Sequence, residues 1–208
     1  RSEARAGQES ESLFRWPLTQ GMVSPAISGA VAFVIASEGF IAERGIPDTA
    51  WVHGMGWAAE PGFLGDRDLG TAPGLACAAG QAYREAGIAD PANAFSIAEI
   101  TDMTPHQALL ALEGLGLCPR ERWLDAARSP DFDPRGRRRL NPSGGVQSRN
   151  PIFCAGGMRV AELAGQARGR AGTHQIDDVQ LAVAHAASGP AMQYNTVVVL
   201  GREKAGKR

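Results

Sequence analysis

Short continuous runs of hydrophobic residues alternate along the chain with stretches whose hydrophobic positions recur at helical spacing. Runs of five to nine apolar or small residues are typical of strands that are buried on both faces. The runs that predict strands are 29–37, 50–58, 95–100, 179–186 and 195–201.

The segments between these runs predict helices. Apolar residues follow helical spacing, and the boundaries carry Thr or Pro before the helix and Gly after it. The predicted helices are 38–44, 71–87, 105–116 and 155–169, and a long loop rich in Pro, Arg, Gly and Ser occupies 128–150. Strands that alternate with helices in this order predict an α/β fold, in which a layered, mixed five-stranded sheet has helices on both faces.

The start of the chain differs from the remainder. Residues 1–12 are polar and show no apolar periodicity, which predicts a disordered or excised end. The remaining residues, 13–208, are expected to form one domain.

Composition narrows the class of protein. The chain has 208 residues, 44% of them hydrophobic, and a formal net charge of −1. This balance gives no general attraction to nucleic acid or to anionic membranes, and no apolar run is long enough to span a bilayer. The three cysteines are far apart, with no CxxC spacing, so we expect reduced thiols and a cytoplasmic protein.

A few residue types could carry chemistry. The segment NPSGG at Asn141–Gly145 combines small residues with two glycines, which allow a backbone to pass close to a ligand or simply to make a tight turn. His185 ends an apolar strand, where it could act as an acid or base, or could be structural. His106 lies in the first turn of a helix, which disfavours its cation. No residues have metal-ligand spacing, so no metal site is expected.

Five ordered segments together resemble the C-terminal half of the thiolase superfamily. They are SPAISGAVAFVIASE, EITDMTPHQALLALEGLGLC, NPSGG, RNPIFCAGGMRVAEL and AVAHAASGPAMQYNTVVVL. The resemblance covers about residues 13–203 and is closest to acetyl-CoA acetyltransferase-like and sterol-carrier-protein-thiolase-like members. It implies chemistry at a carbon–carbon bond β to a CoA thioester, with the thioester as substrate and no further cofactor.

The resemblance also implies roles for single residues. Thr101 stands where the family's NEAF-like motif has Asn, and Asn150 stands where its GHP motif has His. His185 lies in the region of the CxG motif, so it becomes the acid–base candidate, with Asn150 as the group that polarises the thioester carbonyl. The substrate-binding candidates are Asn141, Ser143, Gly144, Gly145, Thr101 and His106.

Two classes of function follow from the resemblance. The first is an acyltransferase that works on acyl-CoA and needs an N-terminal half, or a second thiolase-like chain, to supply the nucleophilic cysteine. The second is a catalytically silent subunit that scaffolds or binds acyl-CoA. A variant of the first is a retro-aldolase on a steroid-type acyl-CoA, which implies a small zinc-ribbon/OB-fold partner and draws attention to Tyr194. A half without its twin is expected to expose an apolar face.

Overall fold

A four-stranded mixed sheet forms the centre of the fold in the computed structural model, which describes residues 13–133, 136 and 139–206. The disordered or excised end predicted at 1–12 lies outside these residues. The strands are β1 (Leu13–Arg15), β2 (Leu18–Thr19), β3 (Trp51–Ala59), β4 (Ile97–Glu99), β5 (Leu181–Ser188) and β6 (Tyr194–Gly201). The helices are α1 (Glu38–Arg44), α2 (Pro73–Ala86), α3 (Pro91–Ala94), α4 (Pro105–Gly114), α5 (Trp123–Arg128), α6 (Gly145–Ser148) and α7 (Ala155–Ala167).

The order across the central sheet is β3–β6–β5–β4. Strands β4 and β5 are parallel, and β6 is antiparallel to both of its neighbours. Strands β1 and β2 form a separate small hairpin. The mixed α/β class is therefore confirmed, and the four predicted helices are present. Within the described residues, none of the helices is both long and apolar enough to cross a membrane.

The predicted fifth strand at 29–37 is the main difference from expectation. Up to residue 37 this segment has no regular secondary structure, and Val34 and Ile35 are 100% and 90% exposed. A strand needs a neighbouring backbone to satisfy its amides, and no described segment pairs with this one. At the fifth position of the sheet, beside β4, Leu140 makes a single parallel bridge to Ala98 in place of a full strand.

Local sequence explains where the helices begin and end. The Thr104 hydroxyl accepts a hydrogen bond from the Gln107 N–H (3.4 Å), and Pro105 occupies the first position of α4. Helix α2 ends at Gly87, whose φ of 67° is the left-handed conformation that favours glycine. These boundaries set α2 and α4 side by side over one face of the sheet.

Helices cover the two sheet faces unequally. Helix α2 packs on β3 and β6, and Gly54 and Gly56 permit this close approach because a Cβ at either would meet main-chain oxygens of α2. Helix α7 packs on the opposite face, mainly against β5. The larger core cluster lies on the α2 side and includes Leu75, Ile100, Leu115, Val183 and Val199.

Candidate functional site

A cavity of about 600 Å³ opens on the α7 side of the sheet, beside the ends of β5 and β6. Most of its wall is apolar, from small residues at the start of α7 and from alanines of β5. Its polar lining residues are Thr101, Gln107, Asn150, Ser188, Tyr194 and Thr196. Of the predicted site residues, the cavity brings together Thr101 and Asn150.

Thr101 follows β4 and is buried, with its hydrogen bonds made within the protein. Its hydroxyl donates to the main-chain oxygen of His185 (3.2 Å) and accepts from the Ala187 N–H (3.1 Å). The hydroxyl thus ties the end of β4 to the end of β5. Its observed role is to shape the cavity wall.

Asn150 anchors the segment that leads into α7. Its Oδ1 accepts from the Ile152 N–H (3.1 Å), and its Nδ2 donates to the Ser24 hydroxyl (3.0 Å). The remaining neighbour of Nδ2 is the Met103 sulfur at 3.6 Å, which is a weak acceptor. One N–H of this amide is therefore available to a stronger acceptor in the cavity.

The predicted glycine-rich segment Asn141–Gly145 lies outside the cavity lining. It binds to residues next to those that line the cavity. Asn141 Oδ1 accepts from the Ile100 N–H (2.7 Å). The Asp102 carboxylate accepts from the N–H groups of Val146 (2.7 Å) and Gln147 (3.3 Å), at the start of α6. Burial raises the pKa of Asp102, and hydrogen bonds from Asn141 and from these amides oppose the rise.

Ser143 belongs to a buried ion-pair network under this segment. Its N–H and hydroxyl both donate to the Glu99 carboxylate (3.0 and 2.9 Å), and Arg159 from α7 lies 3.0 Å from the same carboxylate. Burial raises the pKa of Glu99 to about 7, while Arg159 and Ser143 limit the rise. Gly144 and Gly145 have φ of 92° and 66°, so this turn requires residues without a side chain.

His185 lies on the other face of the sheet. Its neighbours Ala184 and Ala186 line the cavity, so alternation along β5 turns the imidazole towards the α2 side. The ring is fully buried, with Nε2 donating to Asn195 Oδ1 (3.2 Å) and Nδ1 without a partner. Burial lowers its pKa to about 4. The acid–base role stays a prediction, and this ring does not face the cavity.

His106 is exposed on α4 and is not among the cavity-lining residues. Sequence reasoning also missed two features of the site. Gln107, its neighbour, lines the cavity, and only its place in the first turn of a predicted helix could have suggested this. Arg67 binds the turn between β5 and β6, for which the sequence offers no local signal.

The cavity has few side chains that could take part in catalysis. Among the described residues that line the cavity, Tyr194 is the only ionisable side chain, and none is a cysteine or a histidine. In the described part of the chain, no group of three or more His, Cys, Asp or Glu residues is placed to hold a metal ion. The arrangement can enclose an apolar ligand and donate a hydrogen bond from Asn150.

Comparison with known proteins places this arrangement among thiolase relatives. Sterol carrier protein 2 of Homo sapiens is 29% identical over 167 residues, which are 77% of this chain and 30% of that protein. Benzoylsuccinyl-CoA thiolase subunit BbsB of Thauera aromatica is 30% identical over 182 residues, 86% of this chain and 47% of that protein. The chain therefore spans between about a third and a half of these relatives.

Solved structures share the fold. The Ltp2–ChsH2(DUF35) aldolase matches with a TM-score of 0.60 and 21% identity, over 73% of this chain and 39% of the other. A monomeric SCP2-thiolase like protein type 1 from Mycobacterium smegmatis matches with a TM-score of 0.55 and 23% identity, over 79% and 32%. The family described as thiolase C-terminal domain-like matches residues 63–202, more than half of the sequence, and this chain belongs to that family.

Proposed function

We propose that this chain supplies the substrate-holding half of a thiolase-type site, which makes or cleaves a carbon–carbon bond β to a CoA thioester. The observation that carries the proposal is the apolar cavity with the Asn150 amide on its wall. The likeness to a CoA thiolase subunit supports the same class of substrate. The acyl-CoA is the substrate, and no further cofactor is part of the proposal.

Asn150 is the residue to which we assign carbonyl polarisation. Carbon–carbon cleavage beside a thioester builds negative charge on the thioester oxygen, and a fixed N–H donor stabilises that charge. The amide is held by Ser24 and by the Ile152 N–H, so it is oriented before a ligand arrives. Because an amide does not exchange protons at neutral pH, proton transfer needs another group.

The nucleophile and the proton-transfer group are proposed to come from a second half. The described lining residues include no cysteine, and Cys154 lies outside them with its sulfur 3.6 Å from the Pro151 oxygen. Exposed Met55 and Trp57 lie on the same sheet face as the cavity and offer an apolar surface for that half. The second half is either a separate chain or a further part of the same protein.

The test measures thiolysis of a 3-ketoacyl-CoA by this chain together with its nucleophile-bearing half. Asn150→Ala is expected to lower kcat about 100-fold, the usual effect of removing one oxyanion donor. Asn93→Ala is the matched control, because Asn93 is an exposed amide on α3 that bonds only locally to Asp90. Unchanged turnover by Asn150→Ala would contradict the assignment, whereas acyl-CoA binding without turnover in the wild type would support the silent subunit.

Tyr194 favours a second candidate, retro-aldol cleavage of a 3-hydroxyacyl-CoA. In that reaction a base removes the hydroxyl proton, the bond between the α- and β-carbons breaks, and its electron pair remains on the α-carbon as a thioester enolate, which is then protonated. Tyr194 is the only ionisable side chain among the described residues that line the cavity, and an aldolase is among the structures of this fold. A small zinc-ribbon/OB-fold protein is the partner proposed for this variant.

The two candidates give different results with one variant. Tyr194→Phe removes the phenolic hydroxyl and preserves the ring. Under the retro-aldol proposal it abolishes release of the carbonyl product from a 3-hydroxyacyl-CoA and leaves binding of that ligand intact. Under the thiolase proposal it leaves thiolysis of a 3-ketoacyl-CoA unchanged.

A further inference from the structure

The mouth of the cavity carries two large apolar side chains that are exposed to solvent. Ile152 and Phe153 both line the cavity, and Phe153 is fully exposed while Ile152 is more than half exposed. They lie in the short turn between Asn150 and the start of α7, so they stand beside the amide to which we assign the thioester carbonyl. Adjacent exposed apolar side chains at a cavity are typical of a surface that a ligand covers.

The backbone of this turn holds the two side chains at the mouth in a costly conformation. Ile152 has φ of 31°, a value that a residue branched at Cβ rarely adopts. Its N–H donates to Asn150 Oδ1 (3.1 Å). On the other side of the turn, the Cys154 N–H donates to the Pro151 oxygen (3.0 Å). Strained residues concentrate at ligand-binding sites, where the surrounding contacts impose the position that binding requires.

The size of the cavity indicates which part of a ligand reaches this turn. A volume of about 600 Å³ suits a drug-sized ligand, and a short acyl group fills only a small part of it. The CoA arm carries amides and phosphates, which are stabilised by water. A hydrocarbon chain has no polar group to satisfy, so it is the part of an acyl-CoA that an exposed aromatic ring suits best.

We propose that Phe153 is a specificity-determining residue, whose ring packs on the acyl chain of the bound thioester at the cavity mouth and favours chains long enough to reach it. This inference rests on the proposed acyl-CoA site and specifies which acyl groups that site prefers. The driving force is the removal of the ring and of the chain from water, which a short acyl group does not provide.

The experiment is titration calorimetry on the full chain with decanoyl-CoA and butanoyl-CoA. Phe153→Ala is expected to weaken decanoyl-CoA binding about tenfold, as covering one face of an aromatic ring allows, and to leave butanoyl-CoA binding unchanged. Phe153→Leu is expected to retain most of the preference for the longer chain, because it keeps an apolar side chain at the mouth. Phe63→Ala is the matched control, since Phe63 is also exposed but lies outside the cavity lining, and it should change neither affinity.

Three results would overturn the inference. If Phe153→Ala changes neither affinity, the ring does not contact the ligand, although the acyl-CoA site stands. If it weakens both ligands by the same factor, the ring contacts the CoA portion that they share. If the wild type binds neither ligand, the proposed function itself fails.

Two further measurements separate ligand recognition from other roles of the ring. In the absence of ligand, Phe153→Ala is expected to keep the melting temperature, because a fully exposed side chain adds no buried packing. It is also expected to keep the affinity for the nucleophile-bearing half. Weaker association with that half, together with unchanged ligand affinity, would assign Phe153 to the interface between the halves and contradict the proposal.

Discussion

At the scale of single residues, the polar groups around β4 and β5 bind mostly to one another. Glu99, Ser143 and Arg159 form one buried network, and Asp102 binds the start of α6. These contacts hold the segment that leads to Asn150 in place. The residues that the family resemblance marks therefore mainly support the cavity, and Asn150 is the one among them with an N–H bonded only to a weak acceptor.

His185 predicts a pH dependence of stability. Burial lowers its pKa in the folded protein to about 4, below its ordinary value of 6.5, so the unfolded chain binds more protons between these values. The free energy of unfolding therefore falls as pH decreases from 6.5 to 4, by an amount on the order of 3 kcal/mol from this group. The free energy of unfolding can be measured by urea denaturation at several pH values in this range. We expect it to depend less steeply on pH in His185→Gln than in the wild type.

The comparison with the wild type is needed because Glu99 acts in the opposite direction. Its raised pKa means that the folded state binds more protons between its ordinary value and about 7, which lowers stability as pH rises through that window. His106→Gln is the control, since this imidazole is exposed. If the free energy of unfolding depends on pH equally in His185→Gln and in the wild type, the His185 ring is accessible to water.

At the scale of elements, the turn between β5 and β6 depends on a distant arginine. Ala191 and Met192 have φ of 49° and 59°, a left-handed conformation that is costly for residues with a side chain. The Arg67 guanidinium donates to the main-chain oxygens of Pro190 (2.9 Å) and Ala191 (2.6 Å), and it pairs with buried Glu60 at 3.1 Å. Ser188, Gly189 and Met192 line the cavity, so this clamp shapes the cavity mouth.

Removing the clamp is expected to be costly. Arg67→Met leaves Glu60 buried without its cation and frees two main-chain oxygens, which predicts a loss of about 3–5 kcal/mol in the free energy of unfolding. Arg170→Met is the matched control, because Arg170 and its partner Asp48 are both more than half exposed, and it should cost about 0–1 kcal/mol. Chemical denaturation measures both, and equal small effects would contradict the clamp.

At the scale of the whole molecule, one sheet face is only partly covered. Trp57 is 70% exposed and Met55 about half exposed, on the face that also carries the cavity. The edge of β3 is closed to strand pairing, because the N–H groups of Met55 and Trp57 donate to Glu85 (2.8 Å) and Gln81 (3.3 Å) on α2. A partner would therefore pack on the face of the sheet rather than extend its edge.

This surface predicts self-association of the isolated chain. Sedimentation velocity is expected to show a concentration-dependent increase in mass, because the apolar face is removed from water when it is covered. Trp57→Lys should shift the population to monomer and weaken association with a nucleophile-bearing half at least tenfold. Leu124→Lys changes an equally exposed residue on α5 and should have no effect. A wild-type chain that stays monomeric at all concentrations would contradict the prediction.

Periodicity and boundary residues in the sequence were sufficient to predict most elements. Helices α1, α2, α4 and α7 and the strands of the central sheet form where apolar spacing and Gly, Pro or Thr boundaries place them. These signals are local, because a helix or strand is selected by the residues within it and beside it. Thr101 and Asn150, which the motif order selected, both line the cavity, and their roles there stay predictions. The strand predicted at 29–37 was wrong, because a strand also requires a neighbouring backbone with which to pair.

Local sequence patterns and motifs were therefore enough to predict the α/β class, the main elements and the thiolase C-terminal domain-like family. Tertiary structure alone decided which way each side chain points and what it contacts. One residue of register turns His185 away from the cavity, because successive residues of a strand face opposite sides. The hydrogen bonds from Arg67 to the turn between β5 and β6 join residues that are far apart in the sequence, and only packing brings such groups together.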